Sequence, residues 1–445
     1  MPRIPVIAVF DIGKTNKKLF LFDEDYKVVH ETSTHLDETI DDDGDPCEDI
    51  NVLTAWVRTT FDHVNSLPEF DIRAINFSTY GASFVHLGND GLPAAPLYNY
   101  LKPFPDDLLS RFYETYGGKK DFPKLTASPV LGNLNSGMQI YFLKHGKPSV
   151  FKDVRVSLHL PQYVSSLFTS AYCSDLTSIG CHTNLWDFST RNYHRWVIEE
   201  GVEPKLAPIR HSDSTVEITA GAKLLYSGIG LHDSSAALIP YITHAREPFI
   251  LLSTGTWCIS LNPSNGSALT DTDLERDCLC YLTSEGKPVK ASRLFSGHVH
   301  EVKCKGLSDH FNEPSDAYKH VASGDRWKEL RDRLKPAERR QVFDTDQYSR
   351  FKSFEEGYTA LVEYLVEVQI ASTDLVIQPN IKTIFVDGGF SQNKIFMTLL
   401  SEAYPGLKVF AASVVQASAL GAALIIHKDW NSKPVKSDLL KLNQY

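Results

Sequence analysis

No run of apolar residues in this 445-residue chain is long enough to span a bilayer, and its N-terminus lacks the charged, apolar and small-residue succession of a signal peptide. The expectation is a soluble, cytoplasmic protein with no membrane partner. A surplus of positive charge is also missing, since 55 acidic against 45 basic side chains leave a formal charge of −10. Nothing is then available to displace counterions from a phosphodiester backbone, which excludes a general nucleic-acid binder and points to small-molecule partners. Cysteine is sparse: the seven present, an odd number thinly spread, read as reduced thiols and not as a disulfide framework.

Two groupings with metal-binding residue types lack metal-binding spacing. Cys278, Cys280, His298, His300 and Cys304 lie close in sequence, but Cys-x-Cys and His-x-His alternate faces along a strand, so a zinc site is not expected. The run Asp41-Asp42-Asp43-Gly44-Asp45 lacks the ligand positions of a calcium loop, and a solvated turn is the expectation. What the chain does have is bulk. At this length, with 42% hydrophobic and 22% charged residues, it can bury two cores and is too long for one ordinary domain.

The apolar run Pro5 to Phe10 ends in Asp11-Ile12-Gly13-Lys14-Thr15-Asn16-Lys17-Lys18 and resumes as Leu19 to Phe22, so two strands flank a polar turn. Gly13 permits close backbone approach, Thr15, Asn16 and the turn amides can donate to phosphate oxygens, and Asp11 can hold a hydrated cation. The chain returns at once to a strand, which rules out a Walker loop. An ordinary hairpin shares these features. A second strand, Pro248 to Leu252, leads through Ser253-Thr254-Gly255-Thr256-Trp257 into Cys258 to Leu261. That recurrence predicts two related domains, 1–243 and 244–445, facing one another across a cleft. Later, Ile384 to Asp387 reads as a buried strand, and Gly388 and Gly389 clear space beside the backbone for a flat base. Ser391 or Asn393 then caps a helix over Lys394 to Tyr404 or bonds a ligand. Val414 to Ala423 places small residues at helical spacing, suited to a close contact between domains or to ordinary tight packing.

Taken in order, Asp11 to Lys18, Asn76 to Phe84, Gly228 to Ala237, Ser253 to Trp257 and Asp387-Gly388-Gly389 resemble the FGGY carbohydrate kinases, of the sugar kinase, heat-shock protein and actin superfamily. Thr79-Tyr80-Gly81, His232-Asp233 and Thr254 to Trp257 are most similar to the L-rhamnulose kinases, then to L-fuculose and xylulose kinases. The resemblance implies an α/β fold of two ribonuclease-H-like domains, with mixed sheets flanked by helices and an active site in the interdomain cleft. It implies ATP and Mg²⁺, a sugar partner, and transfer of the γ-phosphoryl group to a hydroxyl of a ketose, and it allows a homodimer.

Carried over by position, Asp233 is the implied catalytic base and Asp11 holds Mg²⁺, with Asp233 sharing the ion through water. Gly13, Lys14, Thr15, Asn16 and Lys18 are the implied first phosphate turn, and Thr254, Gly255 and Thr256 the second. Gly388, Gly389, Ser391 and Asn393 border the adenine and ribose. Tyr80, Gly81, Ala82, Ser83, Tyr98, Gln162, His232 and Asp233 are the implied sugar side. His232 suits either a ligand to a sugar hydroxyl or a satisfied loop histidine, and an aspartate in the setting of Asp233 is otherwise an N-cap residue. The sugar side departs from the family twice: Tyr100 stands where Asp is expected, and Gln162 replaces a carboxylate with an amide that both donates and accepts. A deoxy-ketohexose such as L-rhamnulose or L-fuculose is the expected substrate. Alternatives are xylulose, ribulose or a polyol, or a catalytically weak sugar-sensing descendant. An ATP-switched binding protein would leave the sugar-facing segments without a purpose.

Overall fold

Both apolar hairpins form, each at the centre of its own sheet. The computed structural model describes residues 3–221, 223–413, 416–436 and 438–445. The first sheet contains β1 (Ile4–Ile12), β2 (Lys17–Asp23), β3 (Val28–Thr34), β4 (Phe70–Thr79), β5 (Thr215–Ala220), β6 (Lys223–Gly228) and β7 (Leu231–His232). Its order is β5-β6-β4-β1-β2-β3, with β7 alongside β4. β1 is antiparallel to β2 and parallel to β4. Successive side chains of β1 serve opposite faces: Val6, Ala8, Phe10 and Ile12 enter one core and Ile7 and Val9 the other. That is why the sequence reads as an unbroken apolar run, as strands covered on both faces do. Helices α1 (Ile50–Ser66) and α2 (Leu160–Thr169) cover one face, and α3 (Asp233–His244) lies on the other.

The second sheet runs β10-β11-β9-β8-β12-β13-β14. Its strands are β8 (Phe249–Thr254), β9 (Cys258–Asn262), β10 (Cys278–Leu282), β11 (Pro288–Leu294), β12 (Thr383–Gly388), β13 (Lys408–Ser413) and β14 (Lys441–Gln444). Again the hairpin's first strand, β8, is antiparallel to the next strand and parallel to a later one, β12. Helices α4 (Ser296–Phe311), α5 (Phe354–Thr373) and α6 (Lys394–Ala403) supply its larger core.

A further helix, α7 (Ala417–Ile425), follows β13 yet packs on β1, β4 and α3 of the first sheet. The small residues allow this: a Cβ on Gly421 would lie 1.9 Å from the Ala236 carbonyl oxygen in α3. Asn76 of β4 also donates to the Ala422 carbonyl at 2.7 Å. Past α7, Asn431 Nδ2 donates to the Glu24 carbonyl at 2.8 Å, and the hydroxyl of Tyr26 meets His427 Nδ1 at 2.6 Å. The division at 243/244 falls at the end of α3, but residues 417–431 return to the first sheet. Val414 and Val415, which the sequence reading placed at the start of this helix, lie outside the described residues.

Two other expectations change. The acidic run is a turn with Asp42, Asp43 and Gly44 exposed, but it is neither wholly solvated nor unpaired: Asp41 is buried, Lys102 Nζ lies 2.6 Å from Asp41 and 2.7 Å from Asp43, and Lys147 Nζ lies 2.6 Å from Asp42. Two lysines supply the positive charge that a cation would. His298 and His300 do not alternate along a strand; they lie in the first turns of α4. The first domain also carries an additional aromatic core, centred on Phe84, Phe112, Tyr113 and Trp196, within the long connection between β4 and β5.

Candidate active site

β1, β4 and β7 run parallel and end together. Asp11 is in register with Ser78, which on its other side is in register with Leu231, so Asp11 and Asp233 emerge at the same end of the sheet. Asp11 Oδ1 accepts a 2.9 Å hydrogen bond from Ser418 Oγ at the start of α7. Burial pushes the Asp11 carboxyl up to about 6, and the charge of Asp233 adds to the rise while Ser418 opposes it. Asp233 is the first residue of α3, and its side chain is about one-third exposed. Its Oδ1 accepts from the Ser234 N–H at 2.6 Å and Oγ at 3.2 Å, and lies 3.1 Å from His232 Nε2. Oδ2 takes part in none of these contacts.

The first turn closes through Gly13 N–H on the Asn16 carbonyl at 2.9 Å, with Thr15 and Asn16 exposed. Beneath it Lys17, buried, donates to the Lys14 carbonyl at 2.9 Å and pairs with Glu48 at 2.8 Å. Tyr80 donates to the other oxygen of Glu48 at 2.6 Å. Lys14 and Lys18 hold the rim, paired with Glu38 at 2.8 Å and Glu31 at 3.2 Å.

The second turn exposes Gly255 and Thr256. Thr254 is buried; its hydroxyl donates to the Asp387 carbonyl at 2.5 Å and accepts from the Phe390 N–H at 3.0 Å. This locks the hairpin to the turn after β12, where Gly388 has φ +88° and a Cβ would meet the Thr254 carbonyl oxygen at 2.0 Å. The two turns border a cavity of about 680 Å³, lined also by Ser391, Asn393, His300, Tyr318 and Tyr358. Ser391 Oγ donates to the Gly388 carbonyl at 2.7 Å, while Asn393 caps α6 and donates to the Tyr358 hydroxyl at 2.9 Å. His300 Nε2 faces the same hydroxyl at 3.1 Å, and burial draws its pKa down to about 4.

His232 sits where the domains meet. Its ring lies parallel to Tyr281 of β10, 5.6 Å between centroids, and Cys181 Sγ is 3.1 Å from Nε2. Nearby, Arg293 of β11 is held by both oxygens of Asp277, at 2.7 and 3.1 Å, with the Trp257 ring 5.3 Å away.

The model for the N-terminal domain of the FGGY family of carbohydrate kinases matches residues 6–223, and that for the carbohydrate kinase FGGY C-terminal domain matches residues 246–434. The chain belongs to the FGGY family of carbohydrate kinases. A rhamnulokinase of Halalkalibacterium halodurans is 23% identical over 262 residues, covering 56% of this chain and 52% of that protein, so the chain spans about half the length of the curated relative it matches. Among solved structures, a carbohydrate kinase from Novosphingobium aromaticivorans superposes with a TM-score of 0.81 at 22% identity, over 100% of this chain and 94% of the other. A ligand-bound xylulose kinase from Lactobacillus acidophilus gives 0.78 at 15% identity, over 98% and 92%. These structures share the fold: two mixed α/β domains, as in other FGGY kinases.

Within this FGGY fold the residues expected on the sugar side separate into two groups. His232, Gly81 and Tyr100 lie close to Asp233: a Cβ on Gly81 would come within 2.9 Å of His232 Cδ2, and the charge of Asp233 raises the pKa of the Tyr100 phenol, after burial. Gln162 instead is wholly buried and donates to the Gly230 carbonyl at 2.9 Å, holding the loop that leads to β7. Tyr98 is buried with its hydroxyl 3.0 Å from Asp42, and Tyr80 is committed to Glu48. Ala82 has φ +58°, and its carbonyl accepts from Gln139 at 2.8 Å; Ser83 is buried. The sequence reading missed Lys17, Glu48, Tyr281, Tyr318 and Tyr358. Of these only Lys17 lay in a motif, where it looked like one more charged turn residue. Cys278 and Cys280 are packed with Ala127 and Leu269, whereas Cys304 lies 3.4 Å from His300 in another core.

Proposed function

We propose that this chain transfers the γ-phosphoryl group of ATP to a hydroxyl of a ketose. The carrying observation is the pair of strand-end carboxylates, Asp11 and Asp233, at the same end of the first sheet, with a glycine hairpin turn on each sheet and, in the second domain, a cavity lined from Thr254 to Asn393. In this reading Asp233 accepts the hydroxyl proton as the sugar oxygen forms its bond to the γ-phosphorus, and the bond from that phosphorus to the bridging oxygen breaks to release ADP. Oδ1 is held by Ser234 and His232, so Oδ2 is the oxygen free to take the proton. Most of the acceleration then comes from positioning and charge neutralisation. The turn at residues 13–16 and the turn at 255–256 donate backbone and hydroxyl groups to phosphate oxygens. Lys14 and Lys18 exchange their glutamate partners for phosphate. Gly388, Gly389, Ser391, Asn393 and the aromatic wall of the cavity hold the base and ribose.

The donor set fits Mg²⁺: Asp11 is an oxygen ligand whose raised pKa, about 6, reflects the cost of keeping an unneutralised charge there beside Asp233. When bound, the ion offsets phosphate charge. For the substrate we favour a deoxy-ketohexose such as L-rhamnulose or L-fuculose, supported by the rhamnulokinase similarity and by the aromatic Tyr100 beside Asp233. Xylulose, ribulose or a polyol is the second reading, because Tyr100 stands where relatives place an acidic residue. The test is ADP release with Mg-ATP across L-rhamnulose, L-fuculose, xylulose, ribulose and polyols, for the wild type beside Asp233→Asn. We expect turnover with one sugar that falls by about three orders of magnitude or more in the variant. ADP release no faster with any sugar than without would overturn the activity, and heat stabilisation by sugar in that event would indicate a sensing descendant.

A further inference from the structure

We propose that His232 is the positioning residue for the base: its Nε2–H holds Asp233 Oδ1, and contacts from both domains fix the imidazole so that Oδ2 stays turned to the cleft. The inference rests on Asp233 being the base. Nε2 lies 3.1 Å from Asp233 Oδ1, and a bare nitrogen at that distance would set its lone pair against a carboxylate oxygen. The carboxylate therefore selects the Nε2–H tautomer, through the stronger, charge-assisted bond. Nδ1 is left as an acceptor facing the Ser235 hydroxyl at 3.4 Å, whose single proton is shared between Nδ1 and the Leu282 carbonyl of β10 at 3.0 Å.

The ring has almost no freedom to turn. On one edge Cys181 Sγ sits 3.1 Å from Nε2, and Gly81 approaches so closely that a Cβ there would be 2.9 Å from Cδ2. On its face lies the parallel ring of Tyr281, at 5.6 Å and 19°. The backbone N–H of His232 is held by Thr177 Oγ1 at 3.0 Å. Tyr281 and Leu282 belong to the second domain, Cys181 and Gly81 to the first, so the orientation of the base depends on both domains being in place. With 4% of its surface exposed and both ring nitrogens facing protein atoms, His232 is better suited to this duty than to binding a sugar hydroxyl.

The experiment compares His232→Phe, which keeps a ring against Tyr281 and loses the donor, with His232→Gln, whose amide can reach Asp233 as a donor. Asp233→Asn is run beside them with the best acceptor sugar. We expect His232→Phe to lower kcat by about 10- to 100-fold, the range seen for outer-shell orienting partners, with KM for ATP and sugar unchanged, and His232→Gln to recover most of it. A wild-type kcat in His232→Phe, a loss confined to the sugar KM, or a glutamine variant no better than phenylalanine would overturn the inference. Turnover surviving in Asp233→Asn would overturn the base assignment, and the inference with it. A dead Asp233→Asn beside a fully active His232→Phe would overturn the inference alone. Nitrogen-15 NMR of histidine-labelled wild type reads the tautomer without any acceptor sugar. An Nε2–H signal that shifts in Asp233→Asn supports the inference, and an Nδ1–H tautomer overturns it.

Discussion

Lys17 and Glu48 form an ion pair with 2% and 5% of their side-chain surface exposed, and Tyr80 completes the site from the end of β4. Burying two charges costs several kcal/mol that their attraction only offsets, so removing one partner is worse than removing both. Glu48→Gln is expected to destabilise by about 3–5 kcal/mol and to weaken ATP binding, because Lys17 also holds the carbonyl of Lys14 in the turn proposed to hold phosphate. Replacing Lys17 and Glu48 together by Met should restore most of the stability. Chemical denaturation of the three proteins checks this, and equal losses in single and double variants would contradict it. The contrast with Asp11 and Asp233 explains what a sequence reveals at this scale. Each of those carboxylates ends or follows an apolar strand, so its neighbours announce it, whereas Glu48 reaches Lys17 across 31 positions with no pattern linking them. The surroundings of Gln162 were illegible for a related reason: its helix position was visible, but not that its amide would turn inward to Gly230.

At the scale of elements, glycines and hydroxyls set how closely segments approach. Gly421→Ala would force α7 away from the Ala236 carbonyl, where a Cβ has only 1.9 Å, and would move Ser418 relative to Asp11. We expect a loss of about 1–3 kcal/mol or more, together with a lower kcat, read by calorimetry and steady-state kinetics. A variant of unchanged stability would show that α7 can shift without cost. Thr254→Val removes a hydroxyl that serves both Asp387 and Phe390, leaving the Phe390 N–H unpaired in a buried position. KM for ATP should rise several-fold in that variant and stay near the wild-type value in Thr254→Ser; identical values for both would sink the idea. The hairpins were legible because uninterrupted apolar runs on either side of a polar glycine turn leave little else to form. The start of α4 was not legible. Its N-cap position is Phe295, with no side-chain capping bond, so the His-x-His that follows carried no helix signal.

For the whole molecule, burial of histidine decides the response to acid. His86, His159 and His182 are drawn down to about 3 and His300 to about 4, from an ordinary 6.5. The unfolded chain binds protons at these sites below 6.5 while the folded protein does not, so stability present above 6.5 is lost as pH falls, by at most about 1.4 kcal/mol per pH unit for each histidine. Asp11 acts in the opposite sense: its carboxyl is raised from 3.8 to about 6, so between those values the folded state keeps a proton that the unfolded state has lost, and stability rises as pH falls. Four sites outweigh one. The melting temperature should therefore fall as pH is lowered from 7 to 5, and a flat or rising profile would contradict the balance. The two-domain plan was legible because the hairpin motif recurs. The return of residues 417–431 was not, because its anchors, Ser418, Gly421 and Asn431, bond or pack against partners in the first 240 residues and form no local pattern. That return has a consequence for biosynthesis. Tyr26 meets His427 401 positions later, so on the ribosome the first sheet is made long before its α7 cover emerges. One apolar face of β1 and β4 then waits, partly bare, until nearly the whole chain has been translated, and the first domain finishes folding only after all of the second but its last strand, β14, has been synthesised.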